Sequence, residues 1–387
     1  MVCFLPYQSL IIWVMIIVIA DDITGAAEIA GAALRYKLDT MLTIGYADVP
    51  QSTQVWVIAT DTRSVSRADA VNTVNGIIGR LDKKGNILFK KTDSVLRGHV
   101  AAELNAMLKG MRYSKALLIP QNPSRGRIIR DGIYYINGEP VDKTQFRHDP
   151  EFPITTSEVR NILGVEVNVQ ALNTDRSCSV DGICVADASS IEDIKTQLHR
   201  AGAECLYAGG VDFFSALLER EYPDVVVEKN AKCKINPEKY SIIVCGSTQS
   251  KDISDSRFVR LSGTRISVMP DDVFAGKPAC CWFELLVKLY GEHNSLAIAI
   301  GPKEDGGPEC AVRLRHIMSD AVRMLVEAQC PDTMIIEGGA TAYSIISSLC
   351  WNDFKLKCEY APGIVGMVHG RTEVVLKPGS YPWGDVL

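Results

Sequence analysis

Two adjacent carboxylates directly follow an apolar segment near the start of the chain. The segment Met15–Ala20 reads MIIVIA and is followed by Asp21 and Asp22. The segment predicts a buried strand, and ligands of open α/β sheets bind at the carboxyl ends of strands. Paired aspartates there can bind a hydroxyl group, hold Mg²⁺ through water or act as a base. One of them could instead cap the helix that follows, but for the pair we favour a role in function.

A second charged loop follows the strand predicted at Ile87–Phe89. Residues 90–98 read KKTDSVLRG, and their candidate ligands are Lys91, Asp93, Ser94 and Arg97. Arginine can bind a carboxylate or a phosphate through two parallel hydrogen bonds, and lysine adds positive charge. Asp93 is a candidate base, and Ser94 can form a hydrogen bond to a ligand. The loop therefore predicts a site for an anionic substrate, with helix capping by Asp93 or Ser94 as the alternative.

Two more polar loops follow strands predicted at 55–59 and 116–119. Their candidate ligands are Asp61 and Arg63 in the first loop, and Asn122 and Arg127 in the second. Because the carboxyl ends of parallel strands meet at one edge of a sheet, the four loops are expected to converge on one crevice. Residues 86–130 carry nine basic and two acidic side chains in a chain whose net charge is −5. This local excess of positive charge indicates an anionic small ligand.

A glycine-rich turn in the second half of the chain predicts a phosphate site. Residues 337–341 (EGGAT) follow the strand predicted at Thr333–Ile336 and open a helix. Glycine lets the backbone approach a ligand closely, and the N–H groups of a helix start attract phosphate. The candidate phosphate ligands are Gly338, Gly339, Ala340 and Thr341, and similar turns after other strands add Ser247 and Gly379. Ordinary turns and helix caps are the alternative at each of these places.

Several common cofactor motifs are missing from the sequence. The chain has neither the P-loop pattern G-x-x-x-x-G-K-[ST] nor the dinucleotide pattern G-x-G-x-x-G after a strand. The second absence counts against a nucleotide-dependent dehydrogenase, which stays open as one alternative function. The six histidines are scattered without a metal-binding spacing, so we predict no protein metal site.

Short apolar strands alternate with helical stretches along the chain, which predicts the α/β class. A length of 387 residues favours two domains. The charged, irregular segment 223–238 reads as a linker between an N-terminal domain at 15–222 and a C-terminal domain at 239–387. We expect two α/β domains with mostly parallel sheets and an active site in the cleft between them. Residues 1–14 are interpreted as an upstream extension before a natural start at Met15.

Composition narrows the classes of function. Apolar residues make up 47% and charged residues 22%, which is ordinary for globular domains. The net charge of −5 argues against nucleic acid as a partner. The apolar run Leu10–Ala20 is shorter than the roughly 20 residues that a membrane-spanning helix needs, so no membrane association is predicted. Twelve cysteines without a C-x-x-C pair are typical of reduced thiols, which predicts the cytoplasm.

Taken together, these segments resemble the four-carbon acid sugar kinase family. The family signatures are matched in order by ADDITGA at 20–26, KTDSVLRG at 91–98, PSRGR at 123–127, DGIY at 131–134, GGAT at 338–341 and KPG at 377–379. The chain departs from the family pattern at Val95, at 248–249 and at 381–382.

The resemblance implies an ATP-dependent kinase that uses Mg²⁺ and phosphorylates the terminal hydroxyl of a threonate-, erythronate- or oxo-tetronate-type acid. The N-terminal domain is then the sugar-acid-binding domain, and the C-terminal domain binds the nucleotide. In that case Lys91, Arg97 and Arg127 neutralise the carboxylate of the acid, and either Asp22 or Asp93 is the base. A sugar-acid-binding sensor without kinase activity is a second alternative function, and whether the chain forms a homo-oligomer stays open.

Overall fold

The structure, a computed structural model, describes residues 14–82, 85–149, 152–164, 169–172, 181–202, 204–227, 234–235, 240–246, 264–302 and 307–379. Ser247, one of the predicted nucleotide ligands, lies outside these residues, as does most of the extension predicted at 1–14.

The first half of the chain alternates strands with helices and adds a small separate sheet. Its strands are β1 (Ile16–Ala20), β2 (Thr40–Ile44), β3 (Val55–Ala59), β4 (Ile87–Lys91), β5 (Lys115–Ile119), β6 (Arg127–Arg130), β7 (Ile133–Ile136), β8 (Glu139–Pro140), β9 (Val169–Leu172), β10 (Gly182–Ala186) and β11 (Leu206–Gly209). Its helices are α1 (Ile23–Arg35), α2 (Arg67–Ile78), α3 (Val100–Met111), α4 (Val159–Leu163), α5 (Ile191–Ala201) and α6 (Val211–Glu221).

The second half continues the alternation and ends in antiparallel strands. Its strands are β12 (Ser241–Cys245), β13 (Arg265–Val268), β14 (Ser295–Ala299), β15 (Thr333–Glu337), β16 (Asp353–Ala361), β17 (Ile364–His369) and β18 (Thr372–Lys377). Its helices are α7 (Asp271–Phe274), α8 (Cys280–His293), α9 (Gly307–Ala328) and α10 (Gly339–Ser348). The predicted α/β class is confirmed.

Strand β1 shows why the apolar runs become central strands. All five of its residues are buried. Side chains of a strand point alternately to the two faces of the sheet, so Ile16 and Val18 join one hydrophobic cluster while Ile17 and Ile19 join another. A run that is apolar at every position suits a parallel sheet covered on both faces.

One sheet runs through both halves of the chain, where the sequence predicted two. Its fifteen strands follow the order β13-β14-β12-β15-β18-β17-β16-β2-β3-β1-β4-β11-β5-β10-β9. The two halves meet where β16 pairs antiparallel with β2, with Phe354 opposite Leu42. Pairing of these two edges satisfies backbone groups that each sheet would otherwise leave open. The boundaries predicted for the two domains stay a prediction.

The hydrophobic core also crosses from one half to the other. A single buried cluster contains Val18 and Ala30 from the first half together with Val244 and Val365 from the second. Helix α1 lies at this junction. A Cβ atom at Gly31 would come within 2.9 Å of Cγ2 of Val365, so only glycine lets α1 pack this closely against β17.

Two further observations bear on the predicted compartment and partners. None of the helices in the described part of the chain is long and apolar enough to cross a membrane. Cys358 is disulfide-bonded, whereas eight other described cysteines are not, which differs from the expectation of reduced thiols throughout.

Candidate active site

The turn between β1 and α1 places the two adjacent aspartates at the carboxyl edge of the sheet. Asp22 is the N-cap of α1, because its Oδ1 accepts the backbone N–H of Gly25 at 2.9 Å. Its Oδ2 accepts the hydroxyl of Thr24 at 2.6 Å. Burial opposes the charge of Asp22, but Arg63 and Lys91 outweigh burial and lower its pKa. The capping alternative therefore applies to Asp22.

Arg63 connects three of the four predicted loops. Its Nε lies 2.9 Å from Oδ2 of Asp21, and its Nη2 lies 3.0 Å from Oδ1 of Asp22. Its Nη1 lies 3.6 Å from Oδ1 of Asp93. The loops after β1, β3 and β4 are thus brought together as predicted, but the Arg63 guanidinium that joins them is occupied by protein carboxylates.

Asp93 is also fully engaged. Arg97 donates to it from Nε at 3.0 Å and from Nη2 at 2.8 Å, and the backbone N–H groups of Val95 and Arg97 donate to its Oδ2 at 3.1 Å each. Burial alone would raise the pKa of Asp93, but Arg97, Arg63 and these hydrogen bonds hold it well below its usual range. A carboxylate this strongly stabilised as an anion is a weak base.

Two of the three cations predicted to bind a substrate carboxylate have protein partners. Lys91 lies 3.7 Å from the buried carboxylate of Glu28, which Arg125 also contacts at 2.5 Å. Arg97 adds an ion pair with Asp149 at 2.7 Å to its contacts with Asp93. These internal pairs neutralise much of the positive charge that the sequence concentrates in 86–130.

Arg127 is the remaining member of that set. Its Nη1 donates a hydrogen bond to the hydroxyl of Ser94, and its guanidinium lies 5.8 Å from the ring centre of Phe146. Tyr134 in turn donates to the backbone carbonyl of Ser94, which fixes the serine. Among the described residues no carboxylate pairs with Arg127, so its guanidinium can donate hydrogen bonds to an external carboxylate.

Two acidic residues of the site keep free oxygens. Oδ1 of Asp21 is buried and accepts no hydrogen bond, although its Oδ2 contacts Arg63. A buried acceptor without a partner costs about 1–3 kcal/mol, so a donor from a ligand would relieve it. The half-buried Asp61 follows β3 on a left-handed backbone with φ of 51° and does not cap the turn after it.

Asn122, in the loop after β5, is buried and bonded within the protein. The residue is 1% exposed, and its amide oxygen accepts the backbone N–H of Asp212 at 3.1 Å. Asp212 in turn accepts the backbone N–H and the hydroxyl of Ser124. The structure therefore uses Asn122 to hold the 120–127 loop against the start of α6.

The predicted phosphate turn lies at the start of α10. Its N-cap is Gly338, with φ of 100° and no side-chain cap, so the first N–H groups of the helix remain available. Thr341 packs against Gly246 at the end of β12, and Ala340 is exposed. Gly379 is also exposed and follows β18, whose last residue lies beside the end of β15.

The phosphate turn touches the acidic turn of the first half. A Cβ atom built on Gly339 would lie 3.0 Å from Cγ2 of Thr24, the residue that hydrogen-bonds Asp22. The two groups of predicted ligands are therefore in contact rather than separated by an open cleft. Only a residue without a side chain fits here without displacing its neighbour.

Sequence reasoning missed several residues of the site. Lys377, 3% exposed, pairs with Glu337 at 2.5 Å directly below the phosphate turn. Arg315 on α9 and Tyr343 on α10 both interact electrostatically with Asp61. Glu337 and Lys377 stand inside the segments EGGAT and KPG, so those motifs could have indicated them, whereas nothing in the sequence singles out Arg315. The described residues contain no group of three or more acidic, histidine or cysteine side chains that could hold a metal ion.

Comparison with known proteins defines the class of the first half. Residues 16–217 match the model of the sugar-binding N-terminal domain. This match covers more than half of the chain. The chain belongs to the four-carbon acid sugar kinase family, whose named relatives are phosphotransferases that act on a hydroxyl group.

Three relatives illustrate the similarity. The D-threonate kinase of Bordetella bronchiseptica is 31% identical over 46% of this chain and 47% of its own length. The D-threonate kinase of Salmonella typhimurium is 26% identical over 90% of this chain and 89% of its own length. The D-erythronate kinase of Heliobacterium modesticaldum is 27% identical over 51% of this chain and 50% of its own length. The chain thus aligns with about half of two of these relatives and with most of the third.

Two crystal structures share the fold. Proteins from Salmonella typhimurium LT2 and Haemophilus influenzae superpose with TM-scores of 0.76 and 0.72, at 18% and 15% sequence identity. Each comparison covers 95% of this chain, and it covers 96% of the Salmonella chain and 97% of the Haemophilus chain. At such identities the likeness concerns the fold alone.

Proposed function

We propose that this protein is an ATP-dependent kinase that transfers the γ-phosphoryl group to the terminal hydroxyl of a four-carbon sugar acid. The observation that carries the proposal is the contact between Thr24 and Gly339. It joins a helix start suited to phosphate with a site suited to an acid bearing hydroxyl groups. Phosphoryl transfer depends mainly on positioning and charge stabilisation, which this junction provides.

The free groups of the site suggest how the acid is oriented. Arg127 and Ser94 lie on the side of β4 and β5 and suit a carboxylate. Oδ1 of Asp21, after β1, suits a hydroxyl donor along the chain of the substrate. The opposite end of the acid then points toward β3 and α10, where the nucleotide is expected. This polarity directs phosphate to the hydroxyl farthest from the carboxylate and so favours the 4-phosphate.

The start of α10 fits the phosphates of ATP. Its uncapped N–H groups and the positive end of the helix dipole favour anions, and Gly338 and Gly339 leave the backbone accessible. Mg²⁺ commonly binds kinases through substrate phosphates, water and one or two carboxylates. When bound, the ion neutralises charge on the transferred group.

The identity of the acid is the finer part of the proposal. Threonate, erythronate and oxo-tetronate all share the carboxylate and the terminal hydroxyl that the site distinguishes. The named activities of the relatives support a sugar acid of this size. We place the enzyme in the cytoplasm, where ATP and small acids are available.

A coupled assay for ADP release tests the proposal. The purified chain is incubated with ATP·Mg²⁺ and a panel of both stereoisomers of threonate and erythronate, 3-oxo-tetronate, and the uncharged four-carbon polyol threitol. We expect rapid ADP release with at least one acid and little with threitol. The proposal would be contradicted if no acid supported ADP release, or if threitol supported it as fast as the best acid.

A further inference from the structure

A general base needs a carboxylate with a lone pair available to the hydroxyl that it deprotonates. Oδ1 of Asp22 accepts the backbone N–H of Gly25 in α1, and its Oδ2 accepts the hydroxyl of Thr24. Asp93 receives four hydrogen bonds, three of them from Arg97. Neither aspartate that the sequence proposed as the base therefore has its carboxylate free.

Asp61 differs from both in its hydrogen bonding. Within the described residues its carboxylate receives no hydrogen bond, and the short helical turn that it precedes has no side-chain cap. Its backbone is nonetheless held in place, because the neighbouring Thr60 donates its N–H to the carbonyl of Ala20 at 2.9 Å and Arg63 donates to that of Asp21 at 3.3 Å.

The backbone of Asp61 is left-handed, with φ of 51° and ψ of 32°. Aspartate and asparagine tolerate this conformation better than most other non-glycine residues, and residues that adopt it occur in turns and at functional sites. At the carboxyl edge of the sheet, Asp61 combines this conformation with a carboxylate that receives no hydrogen bond from the part of the chain that the structure describes.

The surroundings of Asp61 come from both halves of the protein. The charged and titratable groups that face it are Asp21 and Asp22 from the β1–α1 turn, Arg63 from its own loop, Arg315 from α9 and Tyr343 from α10. Burial is the main cause that raises the pKa of Asp61 to about 7, and the negative charges of Asp22 and Asp21 act in the same direction. The positive charges of Arg63 and Arg315 oppose this rise. A base is most effective when its pKa lies near the working pH.

The position between the two halves matters as much as the free oxygens. Asp61 interacts electrostatically with Asp22 of the acidic turn and with Tyr343 of α10, the helix whose first turn is the proposed phosphate site. In the orientation proposed above, the terminal hydroxyl of the acid reaches this place.

Resting on the proposed kinase function, we propose that Asp61 is the catalytic base that accepts the proton of the terminal hydroxyl. One carboxylate oxygen of Asp61 takes the proton, and the hydroxyl oxygen forms a bond to the γ-phosphorus. The bond between this phosphorus and the β–γ bridging oxygen breaks, and its electron pair leaves with ADP. Protonated Asp61 then releases its proton to water when the products depart.

Steady-state kinetics of Asp61→Asn between pH 6 and 9 test the inference. We expect kcat to fall by about 10²–10⁴-fold, the usual contribution of a general base, with KM for the acid changed by less than about threefold. The wild-type rate should rise with pH through an apparent pKa of about 7, and this rise should be absent in the variant. The exposed Asp224, beyond the far end of α6, provides the matched control Asp224→Asn, which should keep wild-type kinetics.

The outcomes separate this inference from the function on which it rests. If the wild type is inactive on every acid, both the kinase function and the role of Asp61 are wrong. An active wild type together with an Asp61→Asn variant whose kcat stays within about threefold, well short of a general-base effect, overturns the role of Asp61 alone. A variant that raises KM at unchanged kcat would make Asp61 a binding residue, and this result also contradicts the inference.

Discussion

A guanidinium group contributes most to binding an external carboxylate when no protein carboxylate already occupies it. Arg63, Arg97 and Arg125 are all paired with aspartate or glutamate in this protein. Removing such an arginine leaves a buried charge without its partner, which costs about 3–5 kcal/mol of stability. Among the arginines of the four loops, Arg127 is the exception, so binding of the substrate carboxylate should depend on it most.

Arg127→Met tests this at the level of one residue. The change keeps much of the side-chain volume and removes the donor, and a charge-assisted hydrogen bond is worth roughly 1.5–3 kcal/mol, or about 10- to 150-fold in affinity. We expect the dissociation constant of the acid, measured by calorimetry, to rise by this factor. Arg130→Met, at an exposed position of the same strand β6, should leave it unchanged. Equal losses in both variants would contradict the assignment.

The pKa of Asp61 also predicts a pH dependence of stability. The pKa of Asp61 is about 7 in the folded protein and 3.8 as its ordinary value, so the folded state binds the Asp61 proton more tightly than the unfolded state does. This proton binding stabilises the folded protein fully below the unfolded pKa, and the stabilisation is lost as pH rises through the folded pKa. Between pH 5 and 8 the wild type should lose about 2–3 kcal/mol from this group, at roughly 1.36 kcal/mol per unit.

Urea unfolding of the wild type and Asp61→Asn at pH 5 and pH 8 measures the effect. The variant lacks the group, so the difference in free energy of unfolding between the two proteins should shift in favour of the variant at pH 8. A difference that does not change with pH would show that burial does not perturb Asp61. This readout needs no substrate and is independent of catalysis.

At the scale of elements, helix α1 links the two halves. Its N-cap turn touches Gly339, Gly31 packs on Val365 of β17, and Arg35 at its last turn pairs with Glu359 of β16 at 3.1 Å. Because α1 contacts the second half at its start, middle and end, the packing of this helix determines how the two halves lie against each other. The distance between sugar-acid site and phosphate site should therefore depend on how α1 packs.

Gly31→Ala tests this coupling. The added Cβ would lie 2.9 Å from Val365 and 3.2 Å from Oε1 of Glu359, so the helix must shift, at a cost of about 1–3 kcal/mol. We expect lower stability in urea and a lower kcat. Gly76→Ala is the matched control in α2, where a Cβ meets nothing within 4 Å, and should stabilise by about 0.5–1 kcal/mol. A Gly31→Ala variant with wild-type stability and kcat would argue against close packing of α1.

The elements also show what the sequence could predict. Runs such as Val55–Ala59 and Ser295–Ala299 predict strands because burial on both faces demands apolar residues at every position. The pairing of β16 with β2 joins residues about 310 positions apart, and no local pattern encodes such a partner. The internal ion pairs of Lys91 and Arg97 escaped prediction for the same reason, since Glu28 and Asp149 lie far from them in the chain.

At the scale of the whole molecule, a shared sheet and a shared buried cluster connect the two halves. Val18 and Val244 lie in the same buried cluster, and β16 continues the sheet into β2. Scanning calorimetry should therefore show one transition whose calorimetric and van't Hoff enthalpies agree. Two resolved transitions would show that the halves unfold separately and that the junction is weak.

The proposed reaction transfers a phosphoryl group to the hydroxyl farthest from the carboxylate of the acid. Phosphorus NMR of the product formed from ATP and the best four-carbon acid tests this most directly. We predict a new phosphomonoester signal split into a triplet by the two protons of the terminal carbon. A doublet, which indicates phosphate on an internal carbon, or the absence of any phosphomonoester would contradict the proposed orientation of the acid between Arg127 and Asp61.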